Sequence, residues 1–128
     1  MKNLVVSSFV ALILFLAPAY SQDADKGERA FRRCQACHAV GEGAQNKIGP
    51  QLNGIVDRAA GSVADFNYSD ALMAQAEEGL IWDEDSLNAF LTKPREFMKG
   101  TKMAFPGIRK EEDRLDLIAY LATFGDDS

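Results

Sequence analysis

Cys34-Gln35-Ala36-Cys37-His38 is the stretch that decides how this chain is read, because it holds both cysteines and the only histidine. Two cysteines and one histidine scattered over the residues after position 21 give C-x-x-C-H in roughly one arrangement in 6,000, and this is the spacing of covalent c-type haem attachment. The chemistry requires that spacing. Each thiol adds to a haem vinyl group to form a thioether, and two intervening residues let one helical turn match the separation of the vinyls. The adjacent His38 is carried under the porphyrin plane as proximal iron ligand. One motif implies one haem, and a single histidine excludes a bis-histidine iron. A thioredoxin-like C-x-x-C would need an activated thiolate in a βαβ setting, and no strand-turn-helix pattern surrounds the motif. A zinc site would need four ligands, more than two cysteines and one histidine supply.

Outward to the N-terminus, Met1-Lys2-Asn3 leads into Leu4–Ala17, apolar except for Ser7 and Ser8. This is a secretory signal peptide, shorter than the ~20 apolar residues of a membrane-spanning helix. Ala17-Pro18-Ala19 and Ala19-Tyr20-Ser21 both suit a peptidase, and cleavage after Ser21 is favoured over an uncleaved anchor. The expected organisation is a cleaved signal at 1–21 and one domain at 22–128. That domain carries 13 basic and 19 acidic side chains, which argues against nucleic acid and anionic membrane as partners. Its apolar content is thin for an unaided core, so a cofactor is expected to fill the centre.

Toward the C-terminus the pattern is helical. Asp23 or Asp25 caps a first helix expected to run through Phe31 to Arg33. Residues 40–61 carry repeated glycines and Gly49-Pro50, and read as loop wrapped around something. Tyr68-Ser69-Asp70 opens a helix over Ala71–Glu78, closed by Gly79. Asp83 to Ser86 starts another through Leu87, Phe90 and Leu91, stopped at Lys93-Pro94. Phe97–Gly107 is irregular. The last helix has Glu111, Glu112 and Asp113 at its positive end, spaces Leu117, Ile118, Leu121 and Phe124 helically, and ends at Gly125. The fold class is all-α, with short helices and long loops wrapped around one covalently bound haem.

The sixth iron position separates an electron carrier from a haem open to exogenous ligands. No histidine remains for it, and a methionine thioether is the usual partner of histidine in c-type sites, where it favours Fe(II). Met73 lies in a helix-forming run and reads as core filler. Met98 follows Phe97 and can pack beneath the ring. Met103 sits in a non-helical stretch that can bring sulfur to iron from a loop, and is preferred, although spacing alone does not exclude Met98.

The order Cys34-x-x-Cys37-His38, Gly49-Pro50-Gln51-Leu52-x-Gly54, Phe66-x-Tyr68-Ser69-Asp70-Ala71, Trp82, Pro94, Gly100-Thr101-Lys102-Met103-x-Phe105-x-Gly107-Ile108 and Asp116-Leu117-Ile118-Ala119-Tyr120-Leu121 resembles the class I cytochrome c family, close to the mitochondrial and small bacterial c2 types. The resemblance covers essentially all of the chain after the signal. It implies covalent haem c at Cys34 and Cys37, His38 and Met103 as axial ligands, and Pro50 orienting the imidazole through its carbonyl. It also implies Tyr68, Trp82 and Arg58 at a buried propionate, and a crossing of Gly27 and Phe31 against Leu117 and Tyr120. Two departures stand out. Phe90 occupies a place where many members hydrogen-bond the methionine sulfur with a tyrosine. The run Ala71–Gly79 is longer than in the mitochondrial proteins and is expected to alter one edge near the propionates.

Charge is segregated along the chain. Residues 93–110 hold Lys93, Arg95, Lys99, Lys102, Arg109 and Lys110 against Glu96, whereas residues 57–92 hold eight acids against Arg58. A positive field is therefore expected around the haem edge beside Met103, with Arg33 and Lys47 as candidates to extend it. Such a field steers the edge toward an acidic docking surface. The resulting expectation is a soluble, exported, monomeric one-electron carrier of the bacterial periplasm, with no catalytic residues and no stable membrane insertion. A cytochrome bc1-type complex would be its donor, and a photosynthetic reaction centre or terminal oxidase its acceptor. The alternatives are an acceptor for a periplasmic dehydrogenase, or a haem ligand sensor or peroxidase.

Overall fold

The computed structural model describes residues 2, 4–6, 9–14 and 22–125. Five helices follow in order, α1 (Ala24–Phe31), α2 (Asp70–Glu77), α3 (Glu84–Thr92), α4 (Pro94–Phe97) and α5 (Glu111–Leu121), with no strand among the described residues. The all-α expectation holds. Before residue 22, the described residues form no helix and stay exposed, Phe9 at 96%. The candidate cleavage sites lie outside the described residues. No helix among the described residues is long and apolar enough to cross a membrane.

Caps account for three of the helix starts. Asp23 accepts hydrogen bonds from the amides of Asp25 and Lys26, Ser69 from Leu72 and Asp83 from Ser86, each satisfying donors that the first helical turn leaves unpaired. α2 runs into Gly79 at φ +93°, a left-handed conformation that glycine adopts without penalty. Three ends differ from expectation. α1 closes at Phe31, and Arg32–Cys37 turn into the haem motif instead of extending the helix to Arg33. Pro94 does not only stop α3; it is the first residue of α4, because proline lacks only an amide that the first turn cannot use. α5 ends at Leu121, and Phe124 keeps its apolar contact, ring to ring with Tyr120 at 5.0 Å, from a following turn.

α1 and α5 cross at Gly27, where a Cβ would collide with the Asp116 carbonyl. Glycine is needed there for close approach, and the crossing is locked by Phe31 against Tyr120, ring centroids 5.6 Å apart, and by the Asp23 amide donating to Asp116 Oδ1 at 2.8 Å. Around α2 the loops pair briefly. Asp57 N donates to Trp82 O, Trp82 N to Arg58 O and Ala60 N to Leu80 O, at 2.8, 2.8 and 2.9 Å. The core gathers Phe31, Leu117, Ile118 and Leu121 from α1 and α5 with Met98 and Ile108 from the ends of the 99–107 loop. Met73 does not fill the core as expected. It lies 39% exposed on α2, a helix none of whose residues is buried.

Candidate haem site

The helices and long loops enclose a cavity of about 680 Å³, within the ~300–1,000 Å³ range of ligand-binding clefts. Cys34, Cys37 and His38 form part of its wall. The turn they sit on is tight: Cys37 N and His38 N both donate to Cys34 O, at 3.0 and 2.8 Å, so both thiols and the imidazole leave one helical turn. The cysteines are not joined in a disulfide. Burial pushes the Cys34 thiol up to about 11, opposed by Arg33 and reinforced by Cys37. Such a thiol is a poor thiolate, which disfavours redox C-x-x-C chemistry and suits a neutral thioether sulfur.

His38 is oriented by the loop after it. A carbonyl can only accept, so the 2.7 Å contact between Nδ1 and Pro50 O places the ring proton on Nδ1 and leaves Nε2 as a free ligand nitrogen. Burial holds the imidazole below its usual pKa, with the Pro50 hydrogen bond opposing and Lys47 adding to the effect, so the ring is neutral, as metal binding requires. A Cβ on Gly49 would collide with that ring. Gly49 N donates to Cys37 O at 2.8 Å and Lys47 N to Gly49 O at 2.9 Å, which fixes the turn under the histidine.

Met103 lines the same cavity, while Met73 and Met98 do not. Met98 is 1% exposed and belongs to the packed core, so the alternative that spacing left open is not at the site. Phe90 also lines the cavity and packs on Trp82 and Phe97, ring centroids 5.0 and 5.8 Å away. It brings a ring and no hydroxyl to the wall that Met103 shares. Tyr68, Trp82, Arg58 and Pro50 all line the cavity. The Tyr68 hydroxyl accepts from Val63 N at 3.0 Å, leaving its own proton for an acceptor. Arg58 Nη1 donates to Asn53 O at 2.7 Å, but its buried Nε has no partner.

That orphaned donor tests whether haem fits. A buried guanidinium N–H without an acceptor is costly, and a propionate at that end of the cavity would satisfy it. With an apolar wall, two thiols, a neutral imidazole and a thioether, the donor set matches a c-type haem.

Sequence reasoning overlooked two supporting residues. Asn53 is buried and exchanges hydrogen bonds with Gly41, N–H to Oδ1 and Nδ2 to O, both at 2.8 Å, which clips the loop after the motif. Arg114, also buried, donates from Nε to Asn88 Oδ1 at 2.6 Å and from Nη1 to the carbonyls of Ile108 and Arg109 at 2.8 and 3.0 Å. A signal for it existed: Arg114 shares the helical stripe of Leu117, Ile118 and Leu121. The six cations of residues 93–110 are all exposed. Lys93 pairs with Glu96 at 3.5 Å, and Lys102 Nζ reaches the carbonyls of Asn67 and Tyr68 at 3.4 and 3.5 Å. Arg33 and Lys102 line the cavity mouth, and Lys47 Nζ donates to Gln35 O at 2.7 Å.

The profile of the cytochrome c family matches residues 24–125. Cytochrome c2 of Agrobacterium tumefaciens (strain II Chrys) is 54% identical over 99 residues, covering 77% of this chain and 89% of that protein. Cytochrome c2 of Rhodoplanes tepidamans is 48% identical over 106 residues, covering 83% of this chain and 96% of that protein. The solved structure of cytochrome c2 from Rhodospirillum centenum superposes with a TM-score of 0.75 at 39% identity, over 80% of this chain and 98% of that one.

Proposed function

The chain belongs to the cytochrome c family and is a haem c electron carrier, not an enzyme, and on that premise we propose that it shuttles single electrons between a cytochrome bc1-type complex and a reaction centre or terminal oxidase. In this reading residues 1–21 are removed on export and the mature domain, residues 22–128, works in the periplasm as a soluble monomer. A mature N-terminus other than Gln22, read by mass, overturns the cleavage site.

Cys34 and Cys37 hold the haem by thioethers, and His38 and Met103 ligate its iron. The observation that carries this assignment is that a neutral His38, with Nδ1 held by Pro50, and Met103 line one apolar cavity. When bound, haem c supplies an iron that cycles between Fe(III) and Fe(II). The chain's own residues do the rest. The Pro50 carbonyl accepts a hydrogen bond from Nδ1–H, which raises the basicity of Nε2. Met103 offers a soft ligand that favours the reduced metal. Arg58, Tyr68 and Trp82 meet the propionate, keeping its charge from being buried unpaired. The apolar wall keeps water out, so the environment changes little as the charge changes.

The basic residues Lys93, Arg95, Lys99, Lys102, Arg109 and Lys110 form the docking field. Electrostatic steering of this kind accelerates encounter by roughly 10- to 1,000-fold at low ionic strength. Lys99→Gln/Lys102→Gln is expected to slow electron transfer with a purified bc1-type complex roughly tenfold at low salt, and to flatten its salt dependence. Unchanged low-salt rates overturn the docking assignment.

A further inference from the structure

We propose that Arg114 is a positioning residue for Met103, acting through the stem of the loop that carries it; this rests on reading Met103 as the distal ligand. The loop is strung between two residues that are each 1% exposed, Met98 and Ile108, and Met103 lies midway between them. The N-terminal stem is held by backbone bonds, Met98 N to Pro94 O at 2.9 Å and Thr101 N to Met98 O at 3.1 Å. Between the stems the support is thin. The Met103 amide donates to Thr101 Oγ1 at 3.2 Å, and Lys102 makes two long contacts to the Asn67 and Tyr68 carbonyls.

The C-terminal stem is where the side chain of Arg114 matters. Gly107 lies so close to the end of α3 that a Cβ would collide with Thr92 O, and Ile108 N donates to Leu91 O at 2.8 Å. Arg114, 8% exposed on α5, donates to the carbonyls of Ile108 and Arg109 while Nε holds Asn88 of α3. One planar guanidinium thus ties the loop's exit to two helices. Hydrogen bonds from a charged donor are stronger than neutral ones, and the fork geometry cannot be reproduced by lysine. A loop with few bonds of its own opens as a local unit, and the stem sets how often Met103 leaves the iron.

The test uses the ferric holoprotein and imidazole as the incoming ligand, followed optically, in the wild type, Arg114→Lys, Asn88→Ala and Asp23→Ala. Arg114→Lys is expected to raise the rate of imidazole entry roughly tenfold or more, and Asn88→Ala by a smaller factor. Both should speed hydrogen exchange at the Ile108 amide. Asp23→Ala removes the cap of α1, which makes none of the stem's contacts, and is expected to lower the denaturation midpoint without speeding imidazole entry. If entry rates follow the denaturation midpoint across all three variants, or if Asn88→Ala and Arg114→Lys match the wild type, the positioning role is overturned. If Arg114→Lys does not fold, Asn88→Ala against Asp23→Ala decides. A wild-type ferric spectrum without a weak far-red sulfur-to-iron charge-transfer band instead defeats the reading of Met103 on which the proposal rests, and the proposal with it.

Discussion

Residues 34–50 and residues 99–107 both deliver a side chain to one cavity, yet they are held in different ways. The first segment is bonded at short intervals: Cys34 N to Phe31 O, His38 N to Cys34 O and Gly49 N to Cys37 O, each 2.8 Å, with Nδ1 of His38 on Pro50 O at 2.7 Å. The second is anchored at its ends and lightly supported between them. The difference matches the bonds each must make. On the proposed ligation, a proximal imidazole beside two thioethers is placed once and kept, whereas a thioether from a loop is a weaker ligand whose hold depends on the stems. In the proposed reading, function follows from the pairing of a fixed ligand with a soft one.

The contrast can be broken most severely at the motif. Cys37→Ser removes one covalent link, and the expected outcome is little or no mature holoprotein by haem stain and mass. Normal yields would show that the first segment is less critical than its bonding implies. Next come the close-approach glycines beside the two segments. Gly107→Ala has to accommodate φ +109° as well as the collision with Thr92 O, and is expected to cost about 3 kcal/mol or more by denaturant titration. Gly49→Ala, whose Cβ would run into the His38 ring, is expected to cost about 1–3 kcal/mol and to shift the reduction potential, which Gly107→Ala should change only through the distal side. Equal potentials in the two variants would erase the distinction between the segments. Asn53→Ala leaves the Gly41 amide and carbonyl without side-chain partners and is expected to cost about 1–3 kcal/mol, again by denaturation midpoint.

The smallest effect is a control on pH. The Asp83 carboxylate accepts from Ser86, which holds it below its usual 3.8. A group whose folded pKa is depressed contributes stability that is fully present above the unfolded value and is lost as pH falls through the folded one. Its contribution therefore fades only below about pH 4. Asp83→Asn keeps a capping oxygen and should flatten that acid limb slightly. A change centred near neutral pH would contradict the assignment.

Much of this was readable before any coordinates. Asp23, Ser69 and Asp83 announce three helices because a cap acts on amides two or three residues away, and C-x-x-C-H announces the site because its chemistry is local. What escaped reading depends on distance along the chain or on ambiguous signals. Pro94 is both a helix stopper and a good first residue, and only the neighbouring packing decides that it serves as both. Apolar spacing carried the last helix past its end, since Phe124 stays apolar in the turn after Leu121. Arg114 and Asn53 are buried polar residues that reach partners as far as 26 and 12 positions away, and composition treats them as surface. Met103 over Met98 was a preference in the sequence; in the folded chain Met98 is sealed in the core and Met103 faces the cavity.

The central claim is that the iron is closed by His38 and Met103, and the far-red spectrum of the ferric protein tests it most directly. A weak sulfur-to-iron charge-transfer band is expected in the wild type and in Met98→Ala, and its loss in Met103→Ala. A wild type lacking the band, or a band that survives Met103→Ala and vanishes in Met98→Ala, would contradict the account.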